Sequence, residues 1–462
     1  DWPVTTPSIA SLTPEEVRAM DGKERTKLLS KYNLEVTLAE LARCKQAVRD
    51  GTIWRMAERR SHQHPALREA FLWLITNPSM GHVSKMMKDE MILDEKLASQ
   101  EMGSEKGAWE SSWDWIVKSQ TTPRKGGESW GGKDTLARPH IIAARHMMFT
   151  RWHSQAPQGS GSSDVLILHG RSGPWRERCD NLVTRLIHHA PGLEVMILTP
   201  IGLMPYSLED VNPFTHIVGP DWIWRTRPDL SLIRDDLENF SMSDRRIITL
   251  DLKGDQLVDR ALTKLIEMNV IDQSCREIPI DPNDFENSQL QLRRRKAADK
   301  FALFFNVQSE LSHEMTSRSK FVINRQGRIK NVLSSSDKHL ASFRLGDGGL
   351  SLNNEGAIEL YSHRRRQLPT GFSESEIFGY CGEGLALVVV DDDAEPFIRQ
   401  GRNVFHGFVT ACDPWLRPNE ACLIVNVKGD LLGHGVSQCT PEEIATFQKG
   451  VAIKTRDGIK TE

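Results

Sequence analysis

Val165-Leu-Ile-Leu-His-Gly-Arg-Ser-Gly-Pro-Trp175, with Glu194-Val-Met-Ile-Leu198 after it, decides the fold class of this chain. Val165–Leu168 is a continuous apolar run of strand length, and the glycines and proline behind it punctuate a turn. Asn181–His189 then has helical spacing before the second apolar run begins. Strand, turn, helix and strand in that order make a βαβ unit. Ile247–Leu252 reads as a third buried strand and Gln256–Met268 as the amphipathic helix after it, so an α/β domain is expected over residues 161–275.

On the N-terminal side the pattern is helical over residues 1–78. Thr13-Pro-Glu-Glu reads as an N-cap with proline at N1 and glutamate at N3. Leu34–Arg49 follows as a helix closed by Asp50-Gly51, and Trp54, Met56, Leu67, Phe71, Leu72 and Leu74 mark one or two more. Residues 79–160 form a connector that holds the Gly-, Ser-, Lys- and Trp-rich stretch Gly103–Lys133, a helix over Ile141–Trp152 and a linker from Gln155. On the C-terminal side, residues 285–380 are expected as an α+β unit. It opens on a short helix carrying Arg293–Lys296 and Phe301–Phe305, then runs through Lys320–Ile323, a turn at Gly327 and a long polar stretch to Leu352. Short β runs separated by Gly, Pro and Asp turns make residues 384–462 a small all-β barrel.

Of 462 residues, 39% are hydrophobic and 26% charged, which excludes a fibrous or disordered chain. No apolar run approaches the ~18 residues that span a bilayer, so no membrane role is expected. Asp1-Trp-Pro-Val lacks the basic and apolar regions of a secretory leader, and a chain beginning without Met is expected to be an interior part of a longer protein. The seven cysteines are scattered and contain no Cys-x-x-Cys pair, which suits a reducing, cytoplasmic location with thiols used as small core residues. A net charge of -3 gives no global case for nucleic acid, so a binding surface would be local.

Two basic runs are candidates for such a surface: Arg293-Arg294-Arg295-Lys296, and His363 followed by Arg364, Arg365 and Arg366. Each phosphate they neutralised would release counterions and add salt-dependent affinity, although short basic runs also serve as solvated helix faces. His169-Gly-Arg-Ser-Gly-Pro sits at the carboxyl end of a strand, where open α/β sheets bind ligands. It lacks the Gly-Lys-Ser/Thr ending of a P-loop, yet Arg171 can hold an anion there; a purely structural turn is the alternative. His188-His189 at a helix end reads as compensation of the helix dipole rather than a metal site.

The order Gly401, Val404-Phe, Val409, Asp413, Leu416-Arg-Pro-Asn-Glu420, Leu423-Ile-Val, Gly429-Asp-Leu-Leu-Gly433-His-Gly435, Thr440 and Gly450-Val-Ala-Ile resembles a PUA domain, the small β-barrel found on RNA-modifying enzymes. That likeness implies RNA contacts around Arg402, Arg417, Gly433 and Gly435. Upstream, Thr199-Pro-Ile-Gly-Leu-Met-Pro205, Leu208-Glu-Asp-Val211, Pro213 and His216 resemble archaeosine synthase, a paralogue of tRNA-guanine transglycosylase. Gly346-Asp-Gly-Gly-Leu-Ser-Leu352 resembles that family's domain before the PUA barrel, and Tyr32-Asn-Leu through Glu58-Arg-Arg-Ser resembles the helices that end its transglycosylase barrel. The family attaches lysine to the nitrile of a 7-cyano-7-deazaguanine base in tRNA, and its strand-end motif reads Pro-Cys-x-x-x-Lys-Pro-Tyr-x-x-Ser-x-x-His. A thiolate suits attack on a nitrile carbon.

The motif is not kept. Its Pro-Cys pair falls on Leu168 and His169, its Lys on Gly173, its Tyr on Trp175, its Ser and His on Arg178 and Asn181; Pro174 alone remains. The family's zinc ligands fall on Trp2, Thr5 and Tyr32, which removes the tetrahedral donor set, so no metal or other cofactor is expected. The reading that follows is a multidomain α/β and α+β protein with a C-terminal PUA barrel. It binds tRNA in the archaeosine pathway, with a degenerate lysine-transfer site and a catalytic transglycosylase or radical enzyme as partner. The alternative is an active transferase using His169, Arg171, Pro174, Trp175 and Arg178. A protein-interaction scaffold, resting on Trp109, Trp113, Trp115 and Trp130, is a third reading.

Overall fold

The structure, a computed structural model, describes residues 2–50, 52–76, 144, 147–148, 151–152, 164–170, 173–199, 201–215, 230–240, 242–305, 307, 309–344, 348–366, 386–413 and 416–460. The Trp-rich stretch 103–133, the linker from Gln155 and most of the helix expected over Ile141–Trp152 lie outside these residues.

Helices α1 (Pro14–Ala19), α2 (Gly22–Arg49), α3 (Ile53–Ser61) and α4 (Pro65–Thr76) make the N-terminal region. Thr13 and Glu16 close a reciprocal capping box at the start of α1, each satisfying a backbone N–H that the first turn leaves open. Trp2 lies against Tyr32 with ring centroids 5.5 Å apart, and its indole N–H donates to Leu12 O at 2.7 Å. An aromatic contact therefore stands at two of the positions where the family likeness expects metal ligands. No cluster of three or more His, Cys, Asp or Glu able to hold a metal occurs among the described residues.

The central sheet holds β1 (Asp164–His169), β2 (Glu194–Thr199), β3 (Gly202–Pro205) and β4 (Arg246–Asp251) in the order β3-β2-β1-β4. β1 pairs in parallel with both β2 and β4, as the βαβ reading requires, while β3 turns back antiparallel on the edge of β2. Alternate residues of β1 serve opposite faces. Leu166 and Leu168 pack with Trp175, Cys179 and Leu182 of α5 (Trp175–His189) and with Leu262 and Leu265 of α7 (Leu257–Glu267). Val165 and Ile167 pack with Ile233 and Leu237 of α6 (Leu230–Asn239) on the other face.

Helix α9 (Pro282–Phe305), which follows the short α8 (Ser274–Glu277), has 24 residues and is longer than the short helix expected. Leu292 enters the core beneath α5, whereas Ala297, Phe301, Leu303 and Phe305 enter the core on the opposite side of the central sheet. After α10 (Ser309–Ser317), the stretch read as largely polar folds as an antiparallel meander: β5 (Lys320–Ile323), β6 (Ile329–Leu333), β7 (His339–Phe343) and β8 (Leu350–Leu352), in sequential order. Its turns are closed by Asn324 N–H to Arg328 O at 2.9 Å and Ser334 N–H to Lys338 O at 2.8 Å. Lys300, fully buried, joins the two sheets by donating to Asp210 Oδ2 at 2.6 Å and Gly348 O at 2.7 Å.

Helix α11 (Asn354–Arg366) packs between β7 and the barrel. The barrel strands are β9 (Leu387–Val390), β10 (Val404–Phe405), β11 (Val409–Cys412), β12 (Ala421–Asn426), β13 (Leu431–Ser437) and β14 (Val451–Gly458), in the order β10-β14-β13-β12-β9-β11. Helices α12 (Glu395–Arg399) and α13 (Pro441–Thr446) cover its flanks. Gly433 and Gly435 lie where β13 meets β14: a Cβ would come within 2.7 Å of Asp457 O at the first and of Ile453 Cγ2 at the second. Among the described residues no helix is long and apolar enough to cross a membrane.

Candidate functional site

Parallel strands β1, β2 and β4 end side by side at His169, Thr199 and Asp251, which is the edge where open α/β sheets present ligand groups. The β1–β4 register sets His169 opposite Asp251. Gly170 follows with φ +91°, and a Cβ there would come within 2.4 Å of Asp251 Oδ1, so a side chain cannot stand between the imidazole's strand and the carboxylate. Asp251 Oδ1 also accepts the Lys253 N–H at 2.8 Å. Partial burial holds His169 below the ordinary imidazole pKa against the opposing pull of Asp251. The neutral ring is thus the form present near pH 7, as a general base requires.

The other described motif positions stand at the start of α5. Trp175 is fully buried, Pro174 occupies the N-cap of α5 half-buried, and Arg178 lies half-buried on its first turn. Arg171 falls outside the described residues. Cys179, one turn into α5, is fully buried, and burial pushes its thiol up to about 12. A thiol so placed is protonated at neutral pH and is no nucleophile.

Behind the strand ends lies a polar network that sequence reasoning passed over. Asn212 donates to Thr199 Oγ1 at 3.2 Å and accepts the Phe214 N–H at 2.8 Å, while Thr215 donates to Glu209; Asn212, Thr215 and Glu209 are all buried. Buried polar groups need such partners, and here they fix the segment returning from β3 against β2. Asp251, Glu209 and Thr215 were each visible only as single polar residues. The signal that groups the last two is their spacing within the stretch Leu208–Thr215, which carries the likeness to archaeosine synthase.

The expected RNA contacts divide sharply. Arg295 pairs with Glu194 of β2, whose side chain is 1% exposed, and Lys296 Nζ lies 3.0 Å from Asp180 of α5 and 4.8 Å from the Tyr206 ring centroid. Arg293 donates to Gln289 Oε1 at 2.8 Å on its own helix, and Arg294 is half-buried. Arg364, Arg365 and Arg366 form the last turn of α11; their side chains lie outside the description. Arg417 is 1% exposed and turned into the protein against Glu420. Arg151 shares that enclosure: burial, with repulsion from Arg417, lowers its guanidinium to about 10 despite Glu420 and Asp413. Arg402 stands exposed before β10, and Gly433 and Gly435 act through close strand approach.

Residues 387–459 match the family model of the PUA domain. Over 464 residues the chain is 26% identical to a tRNA-guanine(15) transglycosylase of Methanocaldococcus jannaschii, covering 99% of this chain and 57% of that protein. A tRNA-guanine(15) transglycosylase of Methanothermobacter thermautotrophicus is 24% identical over 463 residues, covering 96% of this chain and 56% of the relative. The chain thus spans somewhat under three-fifths of the length of these relatives. A crystal structure described as a protein of unknown function matches 68% of this chain and 99% of its own at 14% identity and a TM-score of 0.40, too weak a likeness to bear on function. The chain is thus similar over nearly its whole length to tRNA-guanine(15) transglycosylases, and its residues 387–459 match the PUA domain.

Proposed function

We propose that the chain is a cytoplasmic tRNA-binding protein of the 7-deazaguanine modification pathway that no longer transfers lysine, and that it serves a catalytic partner such as a transglycosylase or radical enzyme. The observation that carries this reading is at the described end of β1: the motif cysteine is replaced by His169, and the thiol on the following helix, Cys179, is buried and pushed up to about 12. Attack on a nitrile carbon needs a nucleophile that is ionised or deprotonated by a base in reach. Its RNA-binding side rests on the PUA match and on the transglycosylase relatives. For a protein partner, Leu34, Leu38 and Leu41 leave an apolar stripe on α2, at 58%, 55% and 47% exposure, with the i, i+4, i+7 spacing of a helix face.

A second reading, an active transferase, draws on the His169–Asp251 juxtaposition, since a neutral imidazole beside a carboxylate is a competent base. One experiment separates the two. Labelled lysine is offered with tRNA carrying the 7-cyano-7-deazaguanine base, and incorporation is compared between the parent and His169→Ala. The binding reading predicts no incorporation by either protein, with tRNA bound and released by salt. Incorporation by the parent that vanishes in His169→Ala would overturn it and make His169 central to a rewired site.

A further inference from the structure

One row of side chains crosses all four strands of the meander. The pairings set Val322 of β5 opposite Asn331 of β6, Asn331 opposite Ser342 of β7, and Ser342 opposite Ser351 of β8. Residues directly opposite one another share a face, and their chain neighbours point the other way. Those neighbours, Val332, Ala341, Phe343 and Leu350 among them, are the buried ones that enter the core. The row therefore lies on the outer face, with Asn331, Ser342 and Ser351 half-buried and Val322 at 40% exposure.

His339, half-buried at the start of β7, turns its ring along the strand to Ser342, with Nε2 3.0 Å from Oγ. Asn353, just past β8, places its side-chain amide 2.7 Å from Nδ1 on the other side of the ring. The Ser342 hydroxyl also reaches Asn331 Oδ1 at 3.2 Å, so its single proton can turn to either acceptor. Hydroxyl, imidazole and amide stand in one chain of hydrogen bonds, the order of nucleophile, base and orienting group. With the Asn353 amide turned so that its oxygen meets the Nδ1–H, Nε2 is left to accept the serine proton. Ala341 O lies 3.1 Å from the same Nε2 and gives that nitrogen an acceptor once the ring is charged.

We propose that Ser342 is a nucleophile toward small activated esters, with His339 as its base and Asn353 as the positioning residue that holds the ring. Oγ bonds to the acyl carbon as its proton passes to Nε2; the bond to the leaving oxygen then breaks, and that oxygen takes the proton from Nε2. Water repeats the exchange: its oxygen bonds to the acyl carbon, Nε2 takes its proton and returns it to Oγ, and a carboxylic acid departs. The Asn331 amide and the Ser351 hydroxyl flank Ser342 one strand away on either side, where donors can meet the charge that develops on the acyl oxygen. Val322, further along the row, offers an exposed apolar contact of a size that suits a short acyl chain. This activity is separate from the strand ends at His169 and from the binding of tRNA.

The test treats the full chain with a fluorophosphonate probe, maps the adduct by peptide mass spectrometry, and follows release of p-nitrophenol from its acetate ester. An adduct on Ser342 of the parent is expected, lost in Ser342→Ala together with ester hydrolysis. His339→Gln should slow adduct formation by about a hundredfold to ten-thousandfold, the span of a lost general base. Asn353→Ala should slow it as well, while Asn353→Asp should restore the rate and move its half-maximum to higher pH, because a carboxylate beside the ring favours the charged imidazole. A purely structural asparagine would not shift that profile. A parent that carries no adduct on Ser342 overturns the proposal without any variant having to fold. Ester hydrolysis that continues at the parent's rate in Ser342→Ala, or adduct formation in His339→Gln as fast as in the parent, overturns it too.

Discussion

Replacing Arg295 by alanine should destabilise the central domain and leave RNA binding alone, opposite to what its place in a basic run suggests. Its guanidinium meets Glu194, whose side chain is 1% exposed, while Arg295 itself is 20% exposed. Water cannot take over the carboxylate once the partner is gone, so Arg295→Ala leaves a buried charge uncompensated, at a cost of about 3–5 kcal/mol. Were this a surface pair, the same change would cost at most about 1 kcal/mol. Urea unfolding with hydrogen-exchange readout on β2 reports the central domain directly. The double variant Glu194→Leu with Arg295→Met should recover most of the loss, because well-packed apolar residues replace such a pair at little cost. Binding of tRNA over a salt series completes the assay. The reasoning is refuted if Arg295→Ala unfolds at the parent's urea midpoint, or if its salt slope flattens as it would on losing a phosphate contact.

Two further outcomes follow from buried groups elsewhere. Asp299 is fully buried, and burial raises its carboxyl to about 6 although Arg295 and a hydrogen bond from Ser207 oppose this. A raised folded-state pKa means that native protein keeps a proton the unfolded chain has released. Stability is therefore present below pH ~4 and lost as pH rises through about 6. Asp299→Asn should gain about 2–3 kcal/mol on the parent between pH 4 and 7, and a pH-independent difference in urea midpoints would count against it. Gly435→Ala should destabilise the barrel by about 1–3 kcal/mol, since its Cβ would sit 2.7 Å from Ile453 Cγ2 and 2.8 Å from Lys454 O. A calorimetric melt of the barrel unchanged by this substitution would contradict the close approach of β13 and β14.

Legibility in the sequence followed how local each signal was. Val165–Leu168 and Val195–Leu198 are continuous apolar runs because their strands are covered on both faces, so the βαβ unit could be read directly. β3 escaped notice because it is an edge strand ending at Pro205, and only its outer edge tolerates proline. The meander was masked by half-exposed strands such as Ile329-Lys-Asn-Val-Leu333, whose polar positions face outward. Charge misled most. Arg295 and Lys296 looked free because their partners, Glu194 and Asp180, lie 101 and 116 residues away along the chain. At the strand ends, His169 could be singled out as the residue after an apolar run, but Asp251 joins it only through the β1–β4 register.

Helix α9 also bears on inheritance. A genetic break before Pro282 would strip Leu292 from the core beneath α5, and one after Phe305 would part Phe301, Leu303 and Phe305 from Val332, Leu340 and Ala341 of the meander, which share their core. With about 36 Å of rigid rod serving two cores, recombination has no clean seam between the central sheet and the meander. A fragment that ends anywhere between the two units is therefore expected to lose part of a core, and the central sheet and the meander to unfold together.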